Sequence, residues 1–260
     1  MDKKIYEKIT AKKEFSQLPK KDVQLAIEKF EKKDLNEYQL VKLTRNFLRK
    51  IYSSFTSRKL LGDVGKKDAE WILNKHKSTK ERLPFYGEIY GKSFFGVKGK
   101  EFSVIDLGAG INGLTYKFME KSSGKKINYV GVEAIGQLVE LMNNFFKSKG
   151  IKNATAIHES LFELEKIKKL IKKQKGKKII LMFKVIDSLE DIERDYSKKL
   201  IKEIMPLSNR IVLSFATKSL GRRSKFSAQR NWIVKFINEN FKVIEDFELG
   251  GERYLVFEKR

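Results

Sequence analysis

Apolar residues follow two different periods along this chain. Over the first ninety residues they recur at helical spacing. KKDVQLAIEKFEKK places Val23, Ile27 and Phe30 on one face, and EYQLVKLTRNFLRKIYSSF does the same with Leu40, Leu43, Phe47 and Ile51. LLGDVG interrupts with two glycines, and KKDAEWILNKH resumes with Ala69, Ile72 and Leu73. The spacing predicts packed helices throughout. From Phe102 the pattern becomes short apolar runs, FSVIDL, NYVGVEAI, ATAIHE, KIILMFKV and RIVLSFA. Between them lie helical segments such as GLTYKFME, GQLVELMNNFFKSKG, LFELEKIKKLIKKQK, IERDYSKKLIKEIM and QRNWIVKFINEN. Continuous apolar runs of this kind predict buried parallel strands with helices on both faces. The end differs: FKVIEDFELGGERYLVFEK is two alternating runs joined by Gly250-Gly251, a pair that a two-residue hairpin turn accepts. The expected fold is α/β, with a helical domain over 1–90 and a βαβ domain over 91–260 closed by an antiparallel hairpin.

Composition narrows the chemistry. With 41% hydrophobic residues over 260 positions the chain can build a full core. No stretch approaches the roughly 18 uncharged apolar residues of a membrane span, and MDKKIYEKITAKKEF lacks the apolar centre of a signal peptide, so a cytoplasmic monomer is expected. The absence of cysteine excludes disulfides, thiolate catalysis and cysteine zinc sites, and His76 and His158 are the only histidines, so no metal is expected. Lys+Arg 56 against Asp+Glu 33 leaves +23, which points to a polyanionic partner, nucleic acid before membrane. The excess is shared, with 22 basic against 13 acidic residues in 1–90 and 34 against 20 in 91–260.

VIDLGAGINGL, at 104–114, contains Gly108, Gly110 and Gly113 in the spacing of a nucleotide-binding turn, and Glu133 stands where a ribose-binding acid belongs. Such glycines suit either NAD or S-adenosylmethionine (SAM). Asp106 separates the two, because a turn that must accept a pyrophosphate seldom carries a fixed negative charge two residues before its first glycine. SAM has no phosphate, and a parallel sheet ending in an antiparallel hairpin is typical of SAM methyltransferases. HKSTKERL, at 76–83, carries an S-x-x-E capping box in Ser78 and Glu81, while Arg82 near a helix start calls for an anionic partner such as the SAM carboxylate.

HKSTKERL, FYGEIY, DLGAGIN, LMFKVIDSL and SFATKSLGRRSKF, in this order, resemble the aminoglycoside-resistance 16S ribosomal RNA (guanine-N7) methyltransferases. The similarity runs from about Leu40 to the C-terminus. It implies a Rossmann-like SAM domain, an N-terminal helical domain that docks on the small ribosomal subunit, and a guanine N7 in 16S rRNA as target. It implies cofactor contacts at His76, Lys77, Ser78, Arg82, Gly108, Glu133, Glu159, Ser160 and either Met182 or Phe183, beside the Asp106 and Gly110 of the glycine turn. Lys184 matches a family lysine that could order the site, and Lys218 and Ser219 match a segment next to the target base. Three positions depart from the family pattern: Gly113 replaces a proline, Glu133 stands where many members have aspartate, and Ala216-Thr217 replaces a proline dipeptide.

Arg222, Arg223 and Lys225 follow the fifth strand at the edge where open α/β sheets bind ligands, and are read as RNA contacts. His158 reads as a strand-end histidine and Trp232 and Phe236 as core. No side chain is expected to act as a base, methyl transfer being a matter of placement. Loss of Glu133 or Arg82 is expected to weaken cofactor binding and leave the fold intact, and removal of residues 1–75 to leave some cofactor binding. Two rivals stay open: a methyltransferase for another RNA or guanine position, and a ribosome assembly factor that keeps the cofactor fold without turnover.

Overall fold

The apolar runs become seven strands: β1 (Glu101–Leu107), β2 (Lys126–Glu133), β3 (Ala154–His158), β4 (Lys177–Phe183), β5 (Arg210–Ala216), β6 (Lys242–Leu249) and β7 (Glu252–Glu258). They form one sheet in the order β3-β2-β1-β4-β5-β7-β6, with β7 antiparallel to both β5 and β6 and every other pairing parallel. The computed structural model describes residues 2–31, 33–53, 56–62, 67–217 and 230–260.

Among the described residues, six α-helices precede the sheet: α1 (Lys3–Thr10), α2 (Lys20–Glu31), α3 (Glu37–Leu48), α4 (Ala69–Leu73), α5 (Lys77–Arg82) and α6 (Tyr86–Phe94). Six more run between the strands: α7 (Tyr116–Ser123), α8 (Gly136–Ser148), α9 (Leu164–Lys173), α10 (Ile186–Ile192), α11 (Tyr196–Ile204) and α12 (Asn231–Asn240). Among the described residues, no helix is long and apolar enough to cross a membrane.

Alternation along the central strands feeds two cores. In β4, Ile179, Leu181 and Phe183 face one core and Ile180 and Met182 the other. The first core also holds Ile9, Phe15, Val23 and Leu48 from the leading helices together with Ile135 and Leu138, so helices and sheet share one apolar interior. The backbone joins them as well. Gly136 N–H donates to the Gln17 carbonyl at 3.3 Å and Gln137 Nε2 to that of Lys13 at 2.9 Å, so the loop after α1 sits on the start of α8. Residues 90 and 91 fall inside α6, whose Tyr86, Tyr90 and Phe94 rings stack in series at 5.4 and 5.5 Å.

One helical face differs from its expected composition. The buried stripe of α3 is Leu40, Val41, Thr44 and Leu48, while Leu43 is 36% exposed. Beyond Leu48 the helix widens into a π turn over Arg49–Ser53. Ile51 and Tyr52 from that turn both reach the cleft described below. At the other end Gly250 and Gly251 take φ of 60° and 77°, the two left-handed positions that a type I′ hairpin turn requires.

Candidate functional site

The site begins where β1 ends. Asp106 is buried, and its Oδ2 accepts hydrogen bonds from Asn112 Nδ2 at 2.7 Å and the Tyr129 hydroxyl at 2.9 Å, which ties the turn to its own strand and to β2. Burial pushes its pKa up to about 6, against the pull of those two bonds and of the Arg82 charge. The turn then passes through Gly108 and Gly110 at φ of 73° and 55°. A Cβ on Gly108 would stand 2.7 Å from Val185, and one on Gly110 would stand 3.0 Å from the His76 ring, so close approach as well as conformation demands glycine at both. Glu133, at the end of β2, holds the turn from the other side. Its Oε2 accepts from Gly110 N–H at 2.8 Å and its Oε1 from Ile135 N–H at 2.9 Å. Burial raises its pKa, and these backbone donors oppose the rise.

A buried ionic cluster forms the next wall. Arg82 Nε lies 3.1 Å from both carboxylate oxygens of Glu252, and its guanidinium carbon is 4.9 Å from the centre of the Phe183 ring. Lys184 Nζ reaches Glu252 at 3.1 Å and Glu81 at 2.6 Å, and the Ser214 hydroxyl donates to Glu252. Desolvation would raise the Glu252 pKa, yet the two cations hold it below the usual carboxylate range. Lys184 itself sits at φ 55°, a strained backbone for a residue with a Cβ.

His76 precedes α5 and is buried with Nδ1 unpartnered. Burial, and then the Arg82 and Lys184 charges, lower its pKa to about 3, so the ring is neutral at physiological pH. The capping box expected at Ser78 and Glu81 does not form, because His76, two residues before Ser78, takes the N-cap position and Glu81 turns to Lys184.

These walls enclose an open cleft. His76, Ser78, Arg82, Asp106, Gly108, Gly110, Glu133, Phe183 and Lys184 line it. Lys77, Glu159, Ser160 and Met182 do not. Met182 faces the opposite core, so of the two β4 candidates Phe183 is the one on the cleft. Glu159 bends back, its Oε1 accepting the Ser160 N–H at 3.0 Å and its Oε2 3.2 Å from Lys166. His158 lies off the cleft and donates to the Ala134 carbonyl at 2.9 Å. Lys218, Ser219, Arg222, Arg223 and Lys225 fall outside the described residues.

The leading helical region adds lining residues that the sequence did not mark as site residues, among them Asp22, Ile51, Tyr52, Thr56 and Thr79. Asp22 carried a signal, since an acid four residues before Ala26 stands in phase with the buried face of α2. Glu252 carried the same kind of signal, being in phase with Tyr254 and Val256 on the inward side of β7.

Four buried polar atoms of the lining residues lack partners: Arg82 Nη2, His76 Nδ1, Asp22 Oδ2 and Thr56 Oγ1. With Glu133 between them, they suit a ligand carrying an anionic group, ribose hydroxyls and a base, which is the donor and acceptor set of SAM.

A parallel sheet of this order, closed by an antiparallel strand pair and bearing a glycine turn and a buried acid at its carboxyl edge, defines the architecture of a SAM-dependent methyltransferase. The chain belongs to the ribosomal RNA methyltransferase (FmrO) family, whose model matches residues 45–235. A 16S rRNA (guanine(1405)-N(7))-methyltransferase of Proteus mirabilis is 25% identical over 190 residues, which are 71% of this chain and 63% of that protein. The enzyme of the same description from Micromonospora echinospora is 27% identical over 239 residues, 84% of this chain and 82% of its own length. Among solved structures, 16S rRNA methyltransferase RmtF in complex with S-adenosyl-L-homocysteine superposes with a TM-score of 0.76 at 20% identity, covering both chains entirely. The 16S rRNA methylase RmtB gives 0.73 at 19% identity over 98% of each chain.

Proposed function

We propose that this protein transfers a methyl group from SAM to the N7 atom of a guanine in 16S rRNA, with the assembled small ribosomal subunit as substrate. The observation that carries the reading is the cleft, whose glycine turn, ribose acid and unpartnered Arg82 nitrogen match the cofactor in a chain of this family. Bound SAM supplies an electrophilic methyl group. The protein's part is to hold it in line with the nucleophile, a placement worth up to roughly 7 to 11 kcal/mol.

The cleft supports N7 over a ring nitrogen that must first lose a proton. N7 carries a free lone pair, whereas a protonated nitrogen needs a positioned base. The lining residues offer poor bases: His76 is buried among cations, Asp106 and Glu133 are occupied with the turn, and Lys184 lies between two carboxylates. Both parts of the chain are strongly basic, and the leading helices with the Lys218–Lys225 segment are read as the surface that docks on rRNA.

The direct test maps modified positions in small subunits incubated with the protein and methyl-labelled SAM. A single 7-methylguanine is expected, and label on N1 or on another RNA would overturn the assignment. Single-turnover methylation with saturating subunits should be nearly flat from about pH 6.5 to 9, and His158→Ala should keep most of its rate. Expression in a sensitive bacterium should raise tolerance to aminoglycosides if the modified guanine lies where those drugs bind.

A further inference from the structure

Asp22 belongs to the leading helices, yet it is only 2% exposed and lies in the wall of the cleft. Oδ1 accepts the Tyr52 hydroxyl, while Oδ2 is buried without a well-formed hydrogen bond, the Ser160 hydroxyl lying beside the carboxylate. A buried carboxylate oxygen without a well-formed hydrogen bond is costly, so the position calls for a donor that arrives with a ligand. The π turn that delivers Tyr52 and the packing of α2 over the cleft keep the carboxylate where it is.

The sheet order says which part of a ligand it would meet. Glu133 stands at the end of β2. Arg82 and Lys184 lie to one side, toward β4 and β7, whereas Asp22 interacts with Ser160 on the other side, beyond β3, next to the Leu161 and Phe162 that also line the cleft. A ligand that gives its carboxylate to Arg82 and its ribose to Glu133 places its base on that side. The acid following β3, Glu159, is turned back onto Ser160 and Lys166 and does not line the cleft.

We propose that Asp22 is a cofactor-binding residue that accepts a hydrogen bond from the exocyclic amine of the adenine. The carboxylate that reads the base is thus supplied by an N-terminal helix and not by the loop after the third strand. The proposal rests on the reading of the cleft as an adenosyl site. Its consequence is that the helical layer belongs to the cofactor site as well as to the docking surface.

Calorimetry with the full chain tests it, using S-adenosylhomocysteine and its 6-deamino analogue, in which purine replaces adenine. Wild type should bind the adenine compound ten-fold or more tightly than the purine one. Asp22→Ala should bring that ratio close to one, and Asp22→Asn should give an intermediate value. Equal affinities in the wild type, or an unchanged ratio in Asp22→Ala, would overturn the role given to Asp22. A merely structural residue would weaken both compounds alike. Failure of wild type to bind S-adenosylhomocysteine would overturn the adenosyl reading itself. Should Asp22→Ala not fold, the wild-type ratio and Asp22→Asn still decide.

Discussion

Arg82 was legible as an arginine in need of an anion, and its partner within the protein is Glu252. The expectation that its removal spares the fold is therefore corrected. Arg82→Ala leaves a buried carboxylate with Lys184 and the Ser214 hydroxyl but without its guanidinium partner, and should cost about 3–5 kcal/mol in urea unfolding. Pairing it with Glu252→Gln should recover part of that, and additive losses would mean the two side chains are not coupled. Glu133→Ala strips acceptors from two backbone N–H groups as well as from a ribose, so SAH affinity should fall by roughly 1.5 to 3 kcal/mol, with some loss of stability. His76 and Asp106 make an opposed pair in pH. Folded His76 refuses a proton that the unfolded ring takes below its ordinary 6.5, so its contribution to stability is lost as pH falls from there toward 3. Folded Asp106 keeps a proton that the unfolded group releases above 3.8, so its contribution is lost as pH rises from 3.8 to about 6. Between these limits the two slopes cancel. Asp106→Asn should remove that cancellation, its stability relative to wild type falling as pH drops from 6 to 4 at up to about 1.4 kcal/mol per pH unit. Parallel profiles would mean that one or both groups titrate normally.

At the scale of elements, the departures from the family pattern have local reasons. A Cβ on Gly113 would lie 2.8 Å from Phe146 and 2.9 Å from Tyr129, so those rings fill the space a proline would take. Thr217 N–H donates to the Gly251 carbonyl at 2.9 Å, and its hydroxyl reaches Glu248 at 2.7 Å. The end of β5 is thereby anchored to the hairpin turn. That turn also packs on the helical region, since a Cβ on Gly250 would meet Phe85 at 2.8 Å. Gly250→Ala should accordingly destabilise by roughly 1 to 3 kcal/mol through strain and contact together, measurable as a shift in the urea midpoint. An unchanged midpoint would show that Phe85 gives way freely. The strands were readable because continuous apolar runs leave few alternatives. The face of α3 was not, because period alone does not tell whether Leu43 or Thr44 points inward when a π turn follows.

For the whole molecule, the shared core changes what truncation should do. Removal of residues 1–75 takes away Asp22, Tyr52 and Thr56 from the cleft and uncovers the apolar face that Phe15, Val23 and Leu48 cover. The expectation of residual cofactor binding is replaced: the truncated chain should lose SAH binding and cooperative unfolding together, as calorimetry and circular dichroism would report. Retention of both would show that the helices form a separate body. Affinity for small subunits should fall linearly on a log-log salt plot, as expected when basic side chains from both parts meet phosphate. Short naked hairpins should be poor substrates, and full activity on one would remove the docking role given to the leading helices.

Period, turn chemistry and charge in the sequence determined the helical lead, the strands and their hairpin, the glycine turn and the strongly basic balance of both parts. These are local or compositional properties, and each residue carries its own share of them. Tertiary structure decided which polar side chains meet. Glu252 lies 170 positions from Arg82 and closes the ionic wall because the hairpin folds back beside β5. Asp22 enters the cleft because α2 packs across the sheet's first core. Strand alternation sends Met182 away from the cleft and Phe183 into it. Contacts of this kind depend on how distant segments cross, and no periodicity in one segment contains that information.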